Sequence, residues 1–373
     1  MKNRAVKPKK IRRSGKADYL ILSCIFVLTI FGLAMLASAS SYVGKVRFGD
    51  TYFYLKHQLL SGLSFGIIGF IFGAQFYYRR YEKLAIFLLL ASIVLLVLIF
   101  TPFGLQAKGA SRWLTFGPVT FQPSEILKIT FLAYLAAWLS RGSERQKNFL
   151  TGFVPFLIIS IVITGLLLAQ HSTSIVALLM AVAMIVYFVS GAKLTYIASG
   201  TLVVIAILSL VIYFTPYRLN RIMSFVRGEA DIQASGFQLN QALIAIGSGG
   251  LTGVGYGQST SKISYLPESI GDSIFAVIAE ELGFIGVSLM LLVFSVLILK
   301  IFLLAHRIRD RFGQLLLIGF GSLIGLQTFM NIAALSGIVP LTGLPLPFIS
   351  YGGTALAVFM TIGGIIVNIS KYS

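Results

Sequence analysis

Long runs of apolar residues, each about 20 residues long and separated by short polar breaks, are the feature that most constrains this chain. A helix needs about 20 such residues to cross a hydrocarbon core about 30 Å thick. The composition agrees, because 57% of the 373 residues are hydrophobic, 11% are charged and the mean hydropathy is +0.90. The pattern predicts an all-α, polytopic integral membrane protein, a helical bundle with about ten transmembrane helices, and it excludes an ordinary soluble domain.

The predicted spans are close in length and are joined mostly by short connections. Two connections are long, and the longer one is a loop of residues 216–272 between spans seven and eight. We therefore expect a basic tail at residues 1–18 followed by a single membrane domain at residues 19–373. The predicted spans are 19–41, 57–76, 84–101, 123–140, 149–169, 173–190, 194–215, 273–299, 313–337 and 350–369.

Lysine and arginine are concentrated in the N-terminal tail and in the loops at 77–83, 141–147 and 306–311. Basic residues collect in short cytoplasmic loops, and an even number of spans places these segments on one side. The distribution predicts cytoplasmic N- and C-termini. The net charge of +18 is then explained mainly by topology, and the basic residues would also attract anionic lipid. Nucleic acid is not an expected partner.

Two long segments that are not spans, 102–122 and 216–272, fall on the opposite, outer side. Long loops held by a rigid scaffold often carry function. Most of the acidic residues outside the basic loops also belong to this side, so we expect any chemistry to face outward. These residues are Asp50, Glu125, Glu229, Asp231, Glu268 and Asp272.

Asp272 stands directly before the apolar run of the eighth span. A carboxylate near hydrocarbon is costly and is usually kept for a purpose. It could act as a general base, because a partly desolvated carboxylate accepts a proton more readily than one in water. It could equally cap the helix that follows, because aspartate accepts hydrogen bonds from the first backbone N–H groups.

Two further groups of charged residues lie at or near the outer ends of the spans. Glu125 and Lys128 are three residues apart at the start of the fourth span, so they share a helix face and can pair. The pair either fixes helix packing or binds a substrate group. Arg112, Arg218 and Arg221 suit the oxygens of a diphosphate, and they suit lipid headgroups as well.

Polar residues inside the ninth span and glycine-rich segments outside the spans have structural interpretations. Gln327 and Asn331, four residues apart, are expected to form interhelical hydrogen bonds. The segment at 248–257 is expected to let the large loop fold tightly against the bundle or re-enter it. The segment at 344–353 is expected to form broken backbone that lines a cavity.

Four motifs occur in order along the whole chain, and together they resemble the SEDS family of polytopic peptidoglycan glycosyltransferases, the FtsW branch more than the RodA branch. Where that family usually has a His-Thr pair before the aspartate, this chain has Ile270 and Gly271, and residues 169–174 depart from the family's usual turn. The motifs are GASRWLTFGPVTFQPSEILK, then YRLNRIMSF with GFQLNQALIAIGSGGLTGVGYG, then YLPESIGDSIFAVIAEELG, then TGLPLPFISYGGTAL.

The resemblance implies polymerisation of lipid II into glycan strands at the outer face of the bacterial cytoplasmic membrane, for cell division, or for elongation if the chain is RodA-like. It implies a class B penicillin-binding protein (a transpeptidase) and other divisome or elongasome proteins as partners. No cofactor is certain, and a divalent cation, Mg²⁺ or Mn²⁺, could bridge Asp272 and the diphosphate. Asp272 is the expected catalytic residue, and the expected substrate-binding residues are Glu125, Lys128, Arg112, Gln122, Ser124, Arg218, Arg221, Glu268 and Ser350.

Two other classes of function fit a chain of this kind. A flippase or transporter for the same lipid would also use a bundle with intramembrane charge, but it predicts charges near the middle of the membrane. A non-catalytic division scaffold would need only the basic tail and helical surfaces. The gathering of charged residues at the outer boundary favours the glycosyltransferase.

Overall fold

The computed structural model describes residues 15–107, 110–117, 119–142, 144–215, 219, 223, 225, 235–263 and 266–373. Its helices are α1 (Tyr19–Phe48), α2 (Phe53–Gln75), α3 (Arg79–Leu98), α4 (Pro123–Ser140), α5 (Phe149–Ala169), α6 (Thr173–Val189), α7 (Leu194–Tyr213), α8 (Ser235–Ser248), α9 (Ile274–Arg307), α10 (Arg311–Leu335) and α11 (Gly353–Ser370). Its strands are β1 (Gly104–Ala107), β2 (Ala110–Phe116) and β3 (Val119–Phe121).

Each predicted span coincides with a helix, so the predicted helical membrane bundle is confirmed. Within the described ranges, 8 helices are long and apolar enough to cross a membrane. The other two predicted spans are α4, which carries Glu125 and Lys128, and α6, which has only 17 residues. Helix α8 was not predicted and lies inside the segment expected to be a loop.

Helices α10 and α11 form the centre of the bundle, and most of their residues are buried. Helix α11 packs closely on α2 because small residues let the two backbones approach. A methyl group at Gly364 would collide with the carbonyl oxygen of Phe70. Helix α7 is peripheral, since Gly200 is the one buried residue of this fully described helix.

The predicted basic loops meet at one end of the bundle. Arg79 in the second of these segments forms an ion pair of 2.6 Å with Asp310, before α10. The backbone N–H of Asp18 donates to Ser370 Oγ at 3.0 Å, which joins the start of α1 to the end of α11. The described residues 15–18 and the segments 77–83 and 306–311 therefore lie at one end of the bundle, opposite Asp272, while residues 1–14 of the tail lie outside the described residues.

A small antiparallel sheet, ordered β1-β2-β3, covers the other end and is the exception to the predicted all-α class. Leu105 pairs with Trp113, and Leu114 pairs with Phe121. Leu114 is fully buried, so the sheet is anchored to the bundle through an apolar side chain. Aromatic and β-branched residues favour strands, and this segment is too short and too polar to span a membrane.

Helix α9 is interrupted at Gly283, whose φ of 64° and ψ of −166° are not helical. A break leaves backbone groups without their helical partners, which is tolerated at membrane depth only where protein replaces those partners. Here the glycine-rich loop after α8 does so, which confirms that this segment folds against the bundle. The hydrogen bonds run from Val254 N to Glu280 O (2.9 Å), Gly255 N to Glu281 O (3.0 Å), Phe284 N to Gly250 O (2.9 Å) and Ile285 N to Leu251 O (3.0 Å).

Candidate active site

Asp272 lies at the end of the bundle opposite Arg79 and Asp310, in the turn that leads into α9. The helix begins at Ile274 and its N-cap position is Ser273, so Asp272 stands one residue before the cap. The capping interpretation of Asp272 is therefore not supported. A Cβ at Gly343 would lie 3.5 Å from Asp272 Oδ2, so the carboxylate faces the loop before α11.

Asn331 connects Asp272 to that loop. Its Nδ2 donates to the carbonyl oxygen of Asp272 at 2.8 Å and to that of Leu344 at 2.7 Å. Asn331 is itself buried, so both hydrogen bonds lie inside the protein. The amide thus fixes the backbone of Asp272 relative to the loop at 341–352. Both acceptors lie in a turn or a loop, so Asn331 differs from the expectation of an interhelical hydrogen bond.

Glu125 and Lys128 form the predicted ion pair, with a distance of 2.6 Å between Lys128 Nζ and Glu125 Oε1. Both side chains are buried, 2% and 0% exposed. The ammonium also donates to Gln327 Oε1 at 3.0 Å and lies 5.4 Å from the ring centroid of Phe359. Lys128 is thus enclosed by protein, which differs from the expectation that it contacts a phosphate or sugar.

Gln327 extends this pair to the same loop. Its Nε2 donates to the carbonyl oxygen of Pro345 at 2.7 Å, while its Oε1 accepts from Lys128. One face of α10 therefore holds the loop at two points, through Gln327 and through Asn331. The buried pair on α4 is therefore linked to the loop through Gln327, and the loop is linked to the backbone of Asp272 through Asn331.

The second carboxylate oxygen of Glu125, Oε2, is not used in the ion pair with Lys128. Glu125 Oε2 is buried and meets no hydrogen-bond donor in the described part of the chain. A buried carboxylate oxygen without a donor is costly, so such an atom is a candidate for binding a substrate hydroxyl or a water.

The loop before α11 makes a second connection, through Tyr351, to the turn that carries Asp272. The backbone N–H of Tyr351 donates to the carbonyl oxygen of Ile270 at 2.9 Å. Its hydroxyl lies 2.9 Å from His57 Nδ1. Burial raises the pKa of the Tyr351 phenol to about 12, so the neutral phenol can donate to that nitrogen. The contact at Ile270 uses backbone only and does not depend on which side chain replaces the family's histidine.

Arg112 on β2 holds the sheet to the turn between α5 and α6. Its Nη2 donates to the carbonyl oxygen of His171 at 2.6 Å, and its Nε donates to that of Gln170 at 3.3 Å. Ser174, at the start of α6, donates from Oγ to the carbonyl oxygen of Thr342 at 2.5 Å. The contacts of Arg112 favour a role in fixing the sheet against the bundle over the expected contact with a diphosphate.

The remaining predicted substrate-binding residues fall into four groups. Ser124 and Ser350 are buried, and their hydroxyls accept from Gln122 Nε2 (3.0 Å) and Leu346 N (2.8 Å). Gln122 is partly exposed beside the start of α11, with its backbone N–H 3.2 Å from Thr354 Oγ1. Glu268 is exposed four residues before Asp272. Arg218 and Arg221 lie outside the described residues.

The predicted divalent cation would be held by Asp272, the one protein ligand that the sequence suggested for it. No group of three or more His, Cys, Asp or Glu side chains comes together in the described ranges. Mg²⁺ is often held by one or two carboxylates together with substrate phosphates. The single carboxylate of Asp272 could supply one such ligand, and a cation held there would add positive charge beside it.

Sequence reasoning missed a second buried ion pair, between Lys262 and Glu281, at 2.7 Å. Two adjacent carboxylates, Glu280 and Glu281, inside an apolar run were the available signal. The pairing of His57 with Tyr351 was also missed, because nothing in the sequence relates positions 294 residues apart.

Comparison with known proteins covers nearly the whole chain. A relative from Geobacter sp. (strain M18), named probable peptidoglycan glycosyltransferase FtsW, is 37% identical over 361 residues, covering 96% of this chain and 98% of the relative. Stage V sporulation protein E of Bacillus subtilis (strain 168) is 35% identical over 359 residues, covering 95% and 97% of the two chains.

Solved structures have the same fold. A chain of a peptidoglycan synthase complex, described as coordinating polymerization and crosslinking, matches with a TM-score of 0.80 at 24% identity, covering 95% of this chain and 97% of that one. The rod shape determining protein RodA of Thermus thermophilus matches with a TM-score of 0.69 at 25% identity, covering 94% and 96%. The model of the FtsW/RodA/SpoVE cell cycle proteins matches residues 18–373. This protein therefore belongs to the FtsW/RodA/SpoVE family of cell cycle proteins.

Proposed function

We propose that this protein is a peptidoglycan glycosyltransferase that polymerises lipid II into glycan strands, and that it acts in cell division. The observation that carries the proposal is the family match over residues 18–373, with relatives named as glycosyltransferases. The position of Asp272 supports it, because Asn331 fixes the backbone of Asp272 and Gln327 fixes the loop beside it, at the end of the bundle opposite the basic loops.

The proposed reaction is a displacement at the anomeric carbon of a sugar held on undecaprenyl diphosphate. The 4-hydroxyl oxygen of a second disaccharide forms the new bond to that carbon, and the bond to the diphosphate oxygen breaks. Asp272 accepts the proton of the hydroxyl, and the diphosphate leaves with the electron pair. Attack from the opposite face inverts the configuration at the carbon.

The residues around Asp272 act mainly by positioning in this proposal. Asn331 fixes the backbone of Asp272, and Lys128 with Gln327 fixes the loop beside it. Glu125 Oε2, the oxygen that Lys128 leaves over, is available to a substrate donor. Positive charge for the diphosphate is assigned to Arg218 and Arg221, with Arg112 as a secondary candidate.

The proposed membrane arrangement follows from the two ends of the bundle. The end that carries Arg79, Asp310 and the two termini of the membrane domain faces the cytoplasm, and Asp272 faces outward. The membrane is the bacterial cytoplasmic membrane. Residues 1–18 form the basic tail, and residues 19–373 form one membrane domain.

The test is incubation of the purified protein with lipid II, followed by gel analysis of glycan polymer. We expect Asp272→Asn to stay folded and to lose about 10²–10⁴-fold of the polymerisation rate, which is the usual contribution of a general base. Asp50→Asn is the matched control, because Asp50 is an exposed carboxylate bonded to Lys56. An Asp272→Asn variant that polymerises at the parental rate would exclude Asp272 as the base and move the search to Glu268 and Glu125.

The proposed partner is a class B penicillin-binding protein with a single transmembrane span. The outward face of α9 offers large exposed apolar residues for such a contact, among them Leu289 and Leu292, both about 60% exposed. Cysteines at these positions, in a Cys24→Ser background, should crosslink to the partner's span in a co-purified complex. A cysteine at Leu202 of α7 is the control, and crosslinking at Leu202 but not on α9 would contradict the assignment.

The alternatives from the sequence receive less support. A transporter would use the break at Gly283 as part of a substrate path, but the loop at 250–255 pairs with the backbone there. A role in elongation would involve the same chemistry. The relatives at 37% identity are named FtsW, whereas the RodA structure is 25% identical, and this difference favours division.

A further inference from the structure

A cluster of buried charged and hydroxyl groups joins the loop after α8 to α1 and α9. Lys262 Nζ makes three hydrogen bonds: 2.7 Å to Glu281 Oε1, 2.9 Å to Ser38 Oγ and 2.8 Å to the carbonyl oxygen of Gly257. Ser38 Oγ lies 2.6 Å from Glu281 Oε1. We name Ser38, Lys262 and Glu281 the loop clasp. All three donors of the ammonium are used, so the clasp is already occupied and is not an ion-binding site.

Glu280 strengthens the same attachment without a cation. Its carboxylate accepts from Ser259 Oγ at 2.5 Å, from Thr260 N at 3.0 Å and from Ser261 N at 3.3 Å. Glu280 and Glu281 are 2% and 0% exposed, so both carboxylates are committed to holding the loop. Tyr256, near the tip of the loop, donates from its hydroxyl to the carbonyl oxygen of Ala34 at 2.7 Å, which adds a second contact with α1.

The position of the clasp matters because of the break at Gly283. Residues 274–282 form a short half-helix that is not joined to the rest of α9 by continuous helical hydrogen bonding. The loop at 250–255 replaces that connection with four backbone hydrogen bonds. The orientation of the half-helix therefore depends on whether the loop stays in place.

Asp272 precedes the N-terminal end of this half-helix by one residue, Ser273. The turn that carries it is also tied to the clasp, since Leu266 N donates to the carbonyl oxygen of Ser261 at 2.9 Å, next to Lys262. Nine residues at 1.5 Å each make the half-helix about 13 Å long, so a rotation of about 5° at the break would move its outer end by about 1 Å. A displacement of that size can cost about 100-fold in rate.

We propose that Ser38, Lys262 and Glu281 are positioning residues for Asp272, which they hold in place by locking the loop into the break of α9. The proposal rests on the proposed function for its effect on rate. The clasp does not touch the substrate. It determines where the carboxylate lies, and a purely structural role would affect only the fraction of molecules that fold.

Two measurements on the purified, folded protein separate these roles. The first is hydrogen–deuterium exchange of peptides covering residues 266–282, where Gly271 N and Ser273 N donate to the carbonyl oxygen of Glu268. The second is polymer formed from lipid II per folded molecule, with lipid II binding measured alongside. The variants are Lys262→Met and the milder Ser38→Ala, which leaves the ion pair in place. Lys56→Met, which removes an exposed ion pair, is the control.

We expect faster exchange at 266–282 in both clasp variants and parental exchange in Lys56→Met. Polymer per folded molecule should fall by about 100-fold in Lys262→Met and by less in Ser38→Ala, with a much smaller change in lipid II binding. If Lys262→Met does not fold, Ser38→Ala decides by the same two readouts.

Unchanged exchange in the folded clasp variants would overturn the proposal. Faster exchange with a parental rate per folded molecule would overturn it too. A parent protein that makes no polymer would refute the proposed function instead, and the exchange result would still decide whether the clasp holds the segment that carries Asp272.

Discussion

Breaking the buried pair on α4 should destabilise the protein far more than neutralising both partners. Lys128 Nζ and Glu125 Oε1 are 2.6 Å apart, which corresponds to an attraction of roughly 6 kcal/mol at an effective dielectric constant of about 20. The desolvation of both ions offsets most of that attraction. Lys128→Met leaves the carboxylate buried without its cation, and such a change typically costs about 3–5 kcal/mol.

The double variant Glu125→Gln with Lys128→Met removes both charges and should recover most of the lost stability. The assay is the thermal midpoint of the detergent-purified protein by size-exclusion chromatography, followed by polymer formed from lipid II per folded molecule. A double variant that folds but does not polymerise would assign Glu125 and Lys128 a role beyond packing. Full activity would leave packing alone, and a Lys128→Met midpoint equal to the parent's would refute the electrostatic reasoning.

Two further predictions concern the contacts of Asp272. Asn331→Leu removes two hydrogen bonds, each with a net contribution of about 0.5–1.5 kcal/mol, so we expect a lower thermal midpoint. We also expect about 100-fold less polymer per folded molecule, because the backbone of Asp272 loses its support. A parental rate in this variant would exclude Asn331 as a positioning residue. Gly343→Ala places a methyl group 3.5 Å from Asp272 Oδ2 at a φ of 67°, so we expect lower activity than in Gly49→Ala, where φ is 71° and no atom lies within 4 Å. Equal rates in the two glycine variants would show that backbone strain alone is responsible.

The sequence by itself determined the ten predicted spans and the end of the bundle where Asp272 lies. Spans follow from local hydropathy, because a segment that crosses hydrocarbon must be apolar over its whole length and must satisfy its own backbone. The pair of Glu125 and Lys128 was also predictable, since three residues along a helix bring two side chains to one face. The helix interior positions Gln327 and Asn331 were recognised as hydrogen-bonding residues for the same local reason.

The tertiary structure decided which partners those polar residues meet. Lys128 reaches Gln327 across 199 residues of sequence, and Ser38 reaches Glu281 across 243. It also decided that Lys128 is enclosed, that Asp272 stands one residue before the N-cap, and that the glycine-rich loop fills the break at Gly283. These features depend on how helices that are distant in sequence pack against each other. The hydropathy of the sequence indicates that a buried charge needs a partner, but the packing determines which residue lies close enough to be that partner.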